Sequence, residues 1–332
     1  MVRSDVFQVV DKPQVQGLVF RKFRGGSDIE QMWRVRQEVA KWDKVDPQSS
    51  RESLPTAEEF VKEWTGAEIG NPDCVIVEKD NQVIGYSRIH WWTEKDDKQV
   101  YLHLGWLLPG WRNQGIGTAM LHLCQSLIGE MVARDGITSK VELAANASST
   151  EQDAARLMEA EGYKIVNNLS DMVLSDLSAL VPANFPAEIE VRPVTTEHFR
   201  AIYEVYADAY STYERAQKPD EQAFQNFVTY DLAGDTGFYR VAWSGEQAVG
   251  IVLCHHRNEV GTVDQVEVRK AFQRRGIARA LLTEALQELS ARGIQTARLY
   301  TAANNREGAR SLYESLGFRE VKQHYLYRKT LN

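Results

Sequence analysis

The sequence predicts two mixed α/β domains in tandem, on three observations. Its 332 residues are about twice the ~150 of an ordinary domain. A segment is duplicated: Trp111-Arg112-Asn113-Gln114-Gly115-Ile116-Gly117-Thr118-Ala119-Met120-Leu121 recurs as Phe272-Gln273-Arg274-Arg275-Gly276-Ile277-Ala278-Arg279-Ala280-Leu281-Leu282, 161 residues on from Gly115 to Gly276. Each copy also reads in the order β-α-α-β-β-β-α-β-α-β, which mixes strands and helices around one sheet.

A second pair of matches, Ala154 to Tyr163 and Ala309 to Phe318, lies 155 residues apart, so the first copy carries six extra residues between its motifs. Phe20-Arg21 and Val191-Arg192 open the two copies. Between them Pro182-Ala183-Asn184-Phe185-Pro186 breaks any helix after Leu180-Val181. The predicted domains are therefore residues 1–181 and 182–332.

In the first copy a strand is expected from Val19, followed by helices near Ile29 to Lys41 and Thr56 to Trp64. Strands then run at Val75 to Glu78, Val83 to His90 and Tyr101 to Leu107. A helix over Gly115 to Val132, a strand over Val141 to Ala144 and a helix over Glu151 to Glu161 complete it. In the second copy Ile189 to Arg192 is a strand, and Thr196 to Thr212 and Asp220 to Tyr230 are helices. Phe238 to Ala242 is a strand closed by the turn Ser244-Gly245-Glu246. Strands at Ala248 to Cys254 and Thr262 to Val268, a helix at Gly276 to Ala291, a strand at Ala297 to Tyr300, a helix at Arg306 to Leu316 and a last strand to Tyr327 follow.

Composition narrows the classes of function. With 43% hydrophobic and 26% charged residues the chain can fill globular cores. No uninterrupted apolar run approaches the ~18 residues of a membrane helix, and Met1 to Asp11 has no leader-like apolar stretch, so a cytoplasmic protein is expected. The net charge of −7 disfavours nucleic acid and anionic membrane as partners. Cys74, Cys124 and Cys254 are scattered and odd in number, which argues against a disulfide framework. None of the seven histidines stands in a ligand-spaced cluster, so no metal site is expected.

The duplicated loop follows an apolar strand and opens an amphipathic helix whose first N–H groups lack intrahelical partners. Gly115, Gly117 and Gly276, with Ala278 the next smallest choice, permit close approach of an anion. Arg112, Arg269, Lys270, Arg274, Arg275 and Arg279 add positive charge, and a diphosphate is the natural guest. The spelling does not fit a G-x-G-x-x-G dinucleotide fingerprint, because Met120 stands at its third glycine, and Gly-Lys-Ser/Thr is absent.

Arg112-x-x-Gly115-x-Gly117 and Gln273-x-x-Gly276-x-Ala278 resemble the Q/R-x-x-G-x-G/A acyl-CoA loop of the GNAT superfamily of N-acetyltransferases. Leu107-Leu108-Pro109 and Val268-Arg269-Lys270 occupy its V-x-P position, with proline only in the first copy. Leu299 to Asn305 and Leu312-Tyr313-Glu314-Ser315-Leu316-Gly317-Phe318 resemble its second signature. The resemblance covers nearly the whole chain as two acyl-CoA N-acyltransferase domains. It implies acetyl-CoA as co-substrate, held in a V-shaped opening between the fourth and fifth strands. Val268, Gln273, Arg274, Arg275, Gly276, Ile277, Ala278 and Asn304 would bind it in the second copy. Leu107, Arg112, Asn113, Gln114, Gly115, Ile116 and Gly117 would do so in the first.

Acyl transfer to an amine needs a neutral nucleophile and a proton for the departing thiolate. In the family that acid is the tyrosine here numbered Tyr313, with a core-packed tyrosine as the alternative. The first copy has Met158 there, and a thioether donates no proton, so its activity is expected to be impaired. Glu267 and Asp264 are the candidate bases, against a reading of each as a solvated or salt-bridged carboxylate. Strand alternation sets them on opposite faces unless the bulge that the resemblance implies changes the parity. His255 and His256 are expected to be a partly exposed pair at a strand end, and Glu142 a structural or remnant carboxylate. Tyr203, Tyr206, Tyr210 and Tyr213 line one helix face, and His90, Trp91, Trp92, His103 and Trp106 form a second aromatic set, each set explained by packing or by an acceptor cleft. The resulting expectation is acetyl transfer to a primary amine of a small molecule or peptide, in the second domain. The alternative from another class is an acyl-CoA sensor or scaffold without turnover. The tandem arrangement also resembles mycothiol synthase, which implies a sugar-amine conjugate as acceptor.

Overall fold

A computed structural model describes residues 5–10, 12–52, 54–65, 74–94, 97–210, 220–257, 259–303 and 308–331. Two compact units are present. One comprises residues 1–168 together with 324–332, the other residues 169–323. This differs from the linear division at Val181, because two strands near the ends of the copies are traded.

In the first unit strands β1 (Leu18–Lys22), β2 (Cys74–Lys79), β3 (Gln82–Thr93) and β4 (Gln99–Leu107) pair antiparallel in that order, and β4 pairs parallel with β5 (Val141–Ser148). β5 then pairs antiparallel with residues 324–330 of the last strand, β12 (Arg319–Thr330), from His324 opposite Ser148 to Thr330 opposite Glu142. Helices α1 (Gly26–Trp42), α2 (Ala57–Thr65), α3 (Ile116–Arg134) and α4 (Gln152–Ala160) complete the unit. α3 has the length and composition of a membrane-crossing helix. It is interrupted by His122, Gln125 and Glu130, and its Ile116, Ala119, Met120 and Leu123 are buried in a cluster with Leu18, Val75 and Ile84 of the sheet.

The second unit repeats the pattern. β7 (Glu190–Val191), β8 (Arg240–Ser244), β9 (Gln247–Arg257) and β10 (Val260–Val268) pair antiparallel, and β10 pairs parallel with β11 (Thr296–Ala302). β11 pairs with residues 169–174 of β6 (Lys164–Leu174), the strand that follows the first copy in sequence. α5 (Phe199–Tyr210) and α7 (Ile277–Ala291) pack on β9, while α6 (Glu221–Tyr230) and the short α8 (Ala309–Ser315) flank them. Covered from both sides, β9 is buried without a break from Ala248 to Cys254, which is why that run is apolar without alternation. Ile277, Leu281, Leu282, Ala285, Leu286 and Leu289 of α7 recur at helical spacing and supply the facing stripe. The expected helices over 196–212 and 306–316 are shorter in the structure: Thr195 to His198 forms a capped 3-10 turn ahead of α5, and residues 211–219 and 304–307 lie outside the described residues.

Candidate active site

Parallel pairing of β10 with β11 stops at Val263 opposite Leu299, although β10 continues to Val268 and β11 to Ala302. The two strands therefore part beyond Val263, as the fourth and fifth strands were expected to do. In the first unit β4 and β5 part likewise after Leu102 and Ala144. An opened parallel pair leaves strand N–H and C=O groups turned towards the gap, where an extended chain can bond to them.

At the far end of each parted strand stands the glycine loop, and the two loops share one backbone shape. Residues Lys270–Phe272 and Pro109–Trp111 are 3-10 turns, Gln273 and Arg112 are extended, and Gly276 and Gly115 are left-handed N-caps at φ 85° and 78°. Arg274 and Asn113 are left-handed too, at φ 61° and 59°. The first backbone bonds of the helices are Ala280 N–H to Gly276 O and Ala119 N–H to Gly115 O. The N–H groups of residues 277–279 and 116–118 precede them in a concavity suited to an anion. Glycine at 276 is required by its positive φ rather than by crowding, since a Cβ there meets nothing within 4 Å. A Cβ at Gly115 would lie 3.7 Å from Pro13 of the N-terminal segment, and one at Gly117 would make ordinary contact with Leu157 at 3.5 Å. The counterpart of Gly117 in the second loop, Ala278, carries that Cβ.

Most of the expected positive charge is already engaged. Arg112 donates Nε–H to Leu107 O, binds both oxygens of Asp43 at 2.7 Å and reaches Asp153 at 3.1 Å. Gln273 repeats the first bond, from Nε2 to Val268 O at 3.0 Å. Arg112 and Gln273 therefore brace the loop to the strand end, and Arg112 adds no net charge. Arg275 pairs with Glu188, Arg279 with Ser315 Oγ, and Arg269 with Ala248 O and Glu204. Asn304 lies outside the described residues. Val268, Arg274, Arg275, Gly276, Ile277 and Ala278 are brought together at the mouth of the second opening, and Leu107, Asn113, Gln114, Gly115, Ile116 and Gly117 at the first.

Tyr313 is buried in α8, its ring 6.1 Å from that of Phe318. Met158 is buried at the matching place in α4. The expected bulge is present, between Val263 and Gln265, so Asp264 is the extra residue of β10. Gly261 projects towards Leu289 of α7, and Gly250, which pairs with Val268, towards Ile277 and Leu281. Val263 shares the α7 face with Gly261, while beyond the bulge Gln265 and Glu267 occupy the opposite, α5 face. Glu267 sits near enough to Tyr206 of α5 that its charge helps push that phenol, already raised by burial, to about 12.

His255 and His256 stand near the end of β9, half-buried and exposed respectively, as expected, but His255 is also bonded through both ring nitrogens. His255 Nδ1 lies 2.6 Å from Asp264 Oδ2 and its Nε2 lies 2.9 Å from the hydroxyl of Tyr239, which accepts the N–H of Gly234 at 3.0 Å. Asp231, at the end of α6, is hydrogen-bonded by Gln265, and burial, reinforced by Asp264, raises its carboxyl above the usual range. His256 instead meets the edge of Phe238. Cross-strand register, invisible in the one-dimensional spelling, brings His255 to Asp264.

In the first unit the corresponding face is filled. By strand register Cys74, His90, Leu104 and Trp106 take the places of Tyr239, His255, Gln265 and Glu267, and β4 has no bulge. Trp106 stacks on Tyr86 at 4.7 Å and lies beneath Arg36, while Phe60 and Trp64 pack behind Tyr86. His103 is buried and bonded to Tyr163 Oη at 2.7 Å, Trp91 stacks on Tyr101, and Arg328 covers Trp92. Glu142 is ringed by Lys140, Lys98 and Arg328, whose attraction outweighs burial and lowers its carboxyl. Of the tyrosine stripe, Tyr203 and Tyr206 pack against Phe227. Tyr213 and the side chain of Tyr210 lie outside the described residues.

Comparison with known proteins agrees with this duplicated geometry. The model of the acetyltransferase (GNAT) family matches residues 36–163 and 199–318. A mycothiol acetyltransferase of Streptomyces scabiei is 38% identical over 184 residues, 53% of this chain and 58% of that protein. One from Corynebacterium diphtheriae is 24% identical over 298 residues, 86% of this chain and 92% of that one. Among solved structures, a GCN5-related N-acetyltransferase from Sphaerobacter thermophilus superposes with a TM-score of 0.75 at 23% identity, covering 96% of this chain and 97% of its own. With both halves matched and both openings built, the chain belongs to the GNAT acetyltransferase family and carries that domain twice.

Proposed function

We propose that the second unit transfers an acetyl group from acetyl-CoA to a primary amine. The observation that carries this reading is the contrast between the two α-helical faces beside the openings. In the second unit that face holds Glu267, Gln265, Asp231 and the Asp264–His255 pair, whereas in the first it is closed by stacked aromatic rings.

The residues present fit the co-substrate. The N–H groups of residues 277–279 can take its diphosphate, and the parted edge of β10 can bond its extended amide chain. Acetyl-CoA supplies an acyl group on a thiolate leaving group. Glu267, on the acceptor face, takes the proton of the incoming ammonium, which frees the nitrogen lone pair for attack. As the C–N bond forms and the C–S bond breaks, Tyr313 Oη–H gives its proton to the leaving sulfur, and the second proton shed by the nitrogen passes to solvent, from which the phenol is restored. Its three cations make Glu142 a weaker base, and with Met158 in place of a tyrosine the first unit retains a cofactor loop without the acid. The names of the two relatives favour a mycothiol-type sugar-amine conjugate as the first acceptor to try in a panel that also holds polyamines, aminosugars and peptide N-termini.

The test is Tyr313→Phe, assayed by thiol release with an acceptor identified in that panel. General acid catalysis contributes ~10² to 10⁴ in rate, while a lost neutral hydrogen bond costs about tenfold. The expected result is a fall in kcat beyond about a hundredfold with the Kd for acetyl-CoA unchanged. Wild-type kcat under chemistry-limited conditions would remove Tyr313 as the acid and favour the sensor reading.

A further inference from the structure

Asp264 and His255 both belong to the polar face just described, and they are bonded to each other and, through His255, to Tyr239. Both nitrogens of His255 are engaged, Nδ1 with Asp264 Oδ2 and Nε2 with the hydroxyl of Tyr239, a residue only 2% exposed. The chain runs from Asp264 into the protein interior, where the Tyr239 hydroxyl accepts the N–H of Gly234 and faces Asp231 O at 3.5 Å.

What the chain does hold is the bulge. Asp264 is the one residue that β10 has in excess of its partner β9, and it directly follows the last β10–β11 pair, at the point where the opening begins. A bulged residue lacks a regular ladder position, so its orientation depends on whatever its side chain meets. Here the side chain is drawn to β9 through His255, and the next residue, Gln265, is bonded to Asp231 at the end of α6. Two consecutive residues at the apex of the opening are thus pinned from two different elements. The first unit has neither the extra residue nor, at Cys74 and Leu104, the partners that would hold one.

We infer that Tyr239, His255 and Asp264 form a brace that fixes the β10 bulge, making His255 and Asp264 positioning residues and leaving Glu267 as the base. This rests on the assignment of chemistry to the second unit. The brace also predicts which replacements are tolerated. Asn at 255 places an amide N–H where Nδ1–H stands and keeps the bond to Asp264. Gln reaches towards Tyr239 instead, and Leu makes neither bond.

The experiment compares His255→Asn, His255→Gln and His255→Leu in the full chain, with Tyr313→Phe alongside, using acetyl-CoA and the amine that the wild type acetylates. Amide hydrogen exchange over residues 263–267 is read in the same variants. A misplacement near 1 Å can cost about a hundredfold in rate. We therefore expect His255→Asn to keep kcat within about threefold, and the Gln and Leu variants to lose roughly ten- to a hundredfold in kcat with unchanged Kd for acetyl-CoA, an unchanged acid limb of the kcat–pH profile and faster exchange over 263–267. Equal losses in all three with a displaced acid limb would make His255 itself the base and overturn the brace. Lowered melting temperatures with unaltered kcat would overturn it in favour of a purely structural role. If Tyr313→Phe is impaired while His255→Gln is intact, only the brace fails; full turnover in Tyr313→Phe would instead discard the second-unit assignment on which it stands.

Discussion

At His103 one imidazole is sealed in the interior of the first unit, bonded to Tyr163, whose hydroxyl also accepts from Gln125. Burial holds it neutral, with its pKa pushed down to about 4. An unfolded chain takes up that proton nearer the ordinary value of 6.5, so stability is complete above that pH and is lost as pH falls towards 4. Over this window the loss amounts to about 3 kcal/mol at most. His103→Gln can keep a hydrogen bond to Tyr163 without titrating. Its urea midpoint should fall less than that of the wild type between pH 7 and pH 4.5, and parallel curves would show that His103 does not carry the acid sensitivity. The sequence offered His103 only as one of an aromatic set. Tyr313 stood out as a candidate because its neighbours spell a family signature, whereas the bonds of His255 could not be read, since its partners are set by strand register and lie 9 and 16 residues away.

Among the elements, the glycine loops were the most legible, because a left-handed N-cap demands glycine wherever a strand turns into a helix this tightly. Less legible was what the flanking side chains do. Arg112 in the sequence looks like a phosphate ligand, but the buried carboxylate of Asp43, contributed from just beyond α1, claims it. The two loops also differ in surroundings: space stands open at Gly276, while Pro13 lies against Gly115. Gly276→Val should therefore act through backbone strain, on the order of 1–2 kcal/mol for a side chain at positive φ and more for a β-branched one. The expected outcome in calorimetry is a weakening of acetyl-CoA binding by tenfold or more at the second unit, with turnover falling in step. Gly115→Val should leave most turnover intact. Unchanged affinity and stoichiometry in Gly276→Val would remove that loop as the main cofactor site.

For the molecule as a whole, the duplication was readable from spelling, but the trading of strands was not. Each copy ends in a strand, and nothing local distinguishes a strand that closes its own sheet from one that closes the other. Residues 324–330 complete the first unit's sheet along β5, with Tyr327 buried in its core, while residues 169–174 serve the second unit along β11. A fragment cut at the sequence boundary, residues 1–181, would lack the partner of β5 and expose its ladder. Such a fragment should fail to melt cooperatively, and appending residues 319–332 after Asn168 by a short linker should restore a transition. A cooperative melt of residues 1–181 within a few degrees of the full chain would refute this dependence. The same arrangement governs the order of events at the ribosome. The first copy emerges early but stays one strand short until residues 324–330 are translated, so neither half can finish before the other is made. A frameshift just ahead of residue 324 would consequently damage the half of the protein that was synthesised first.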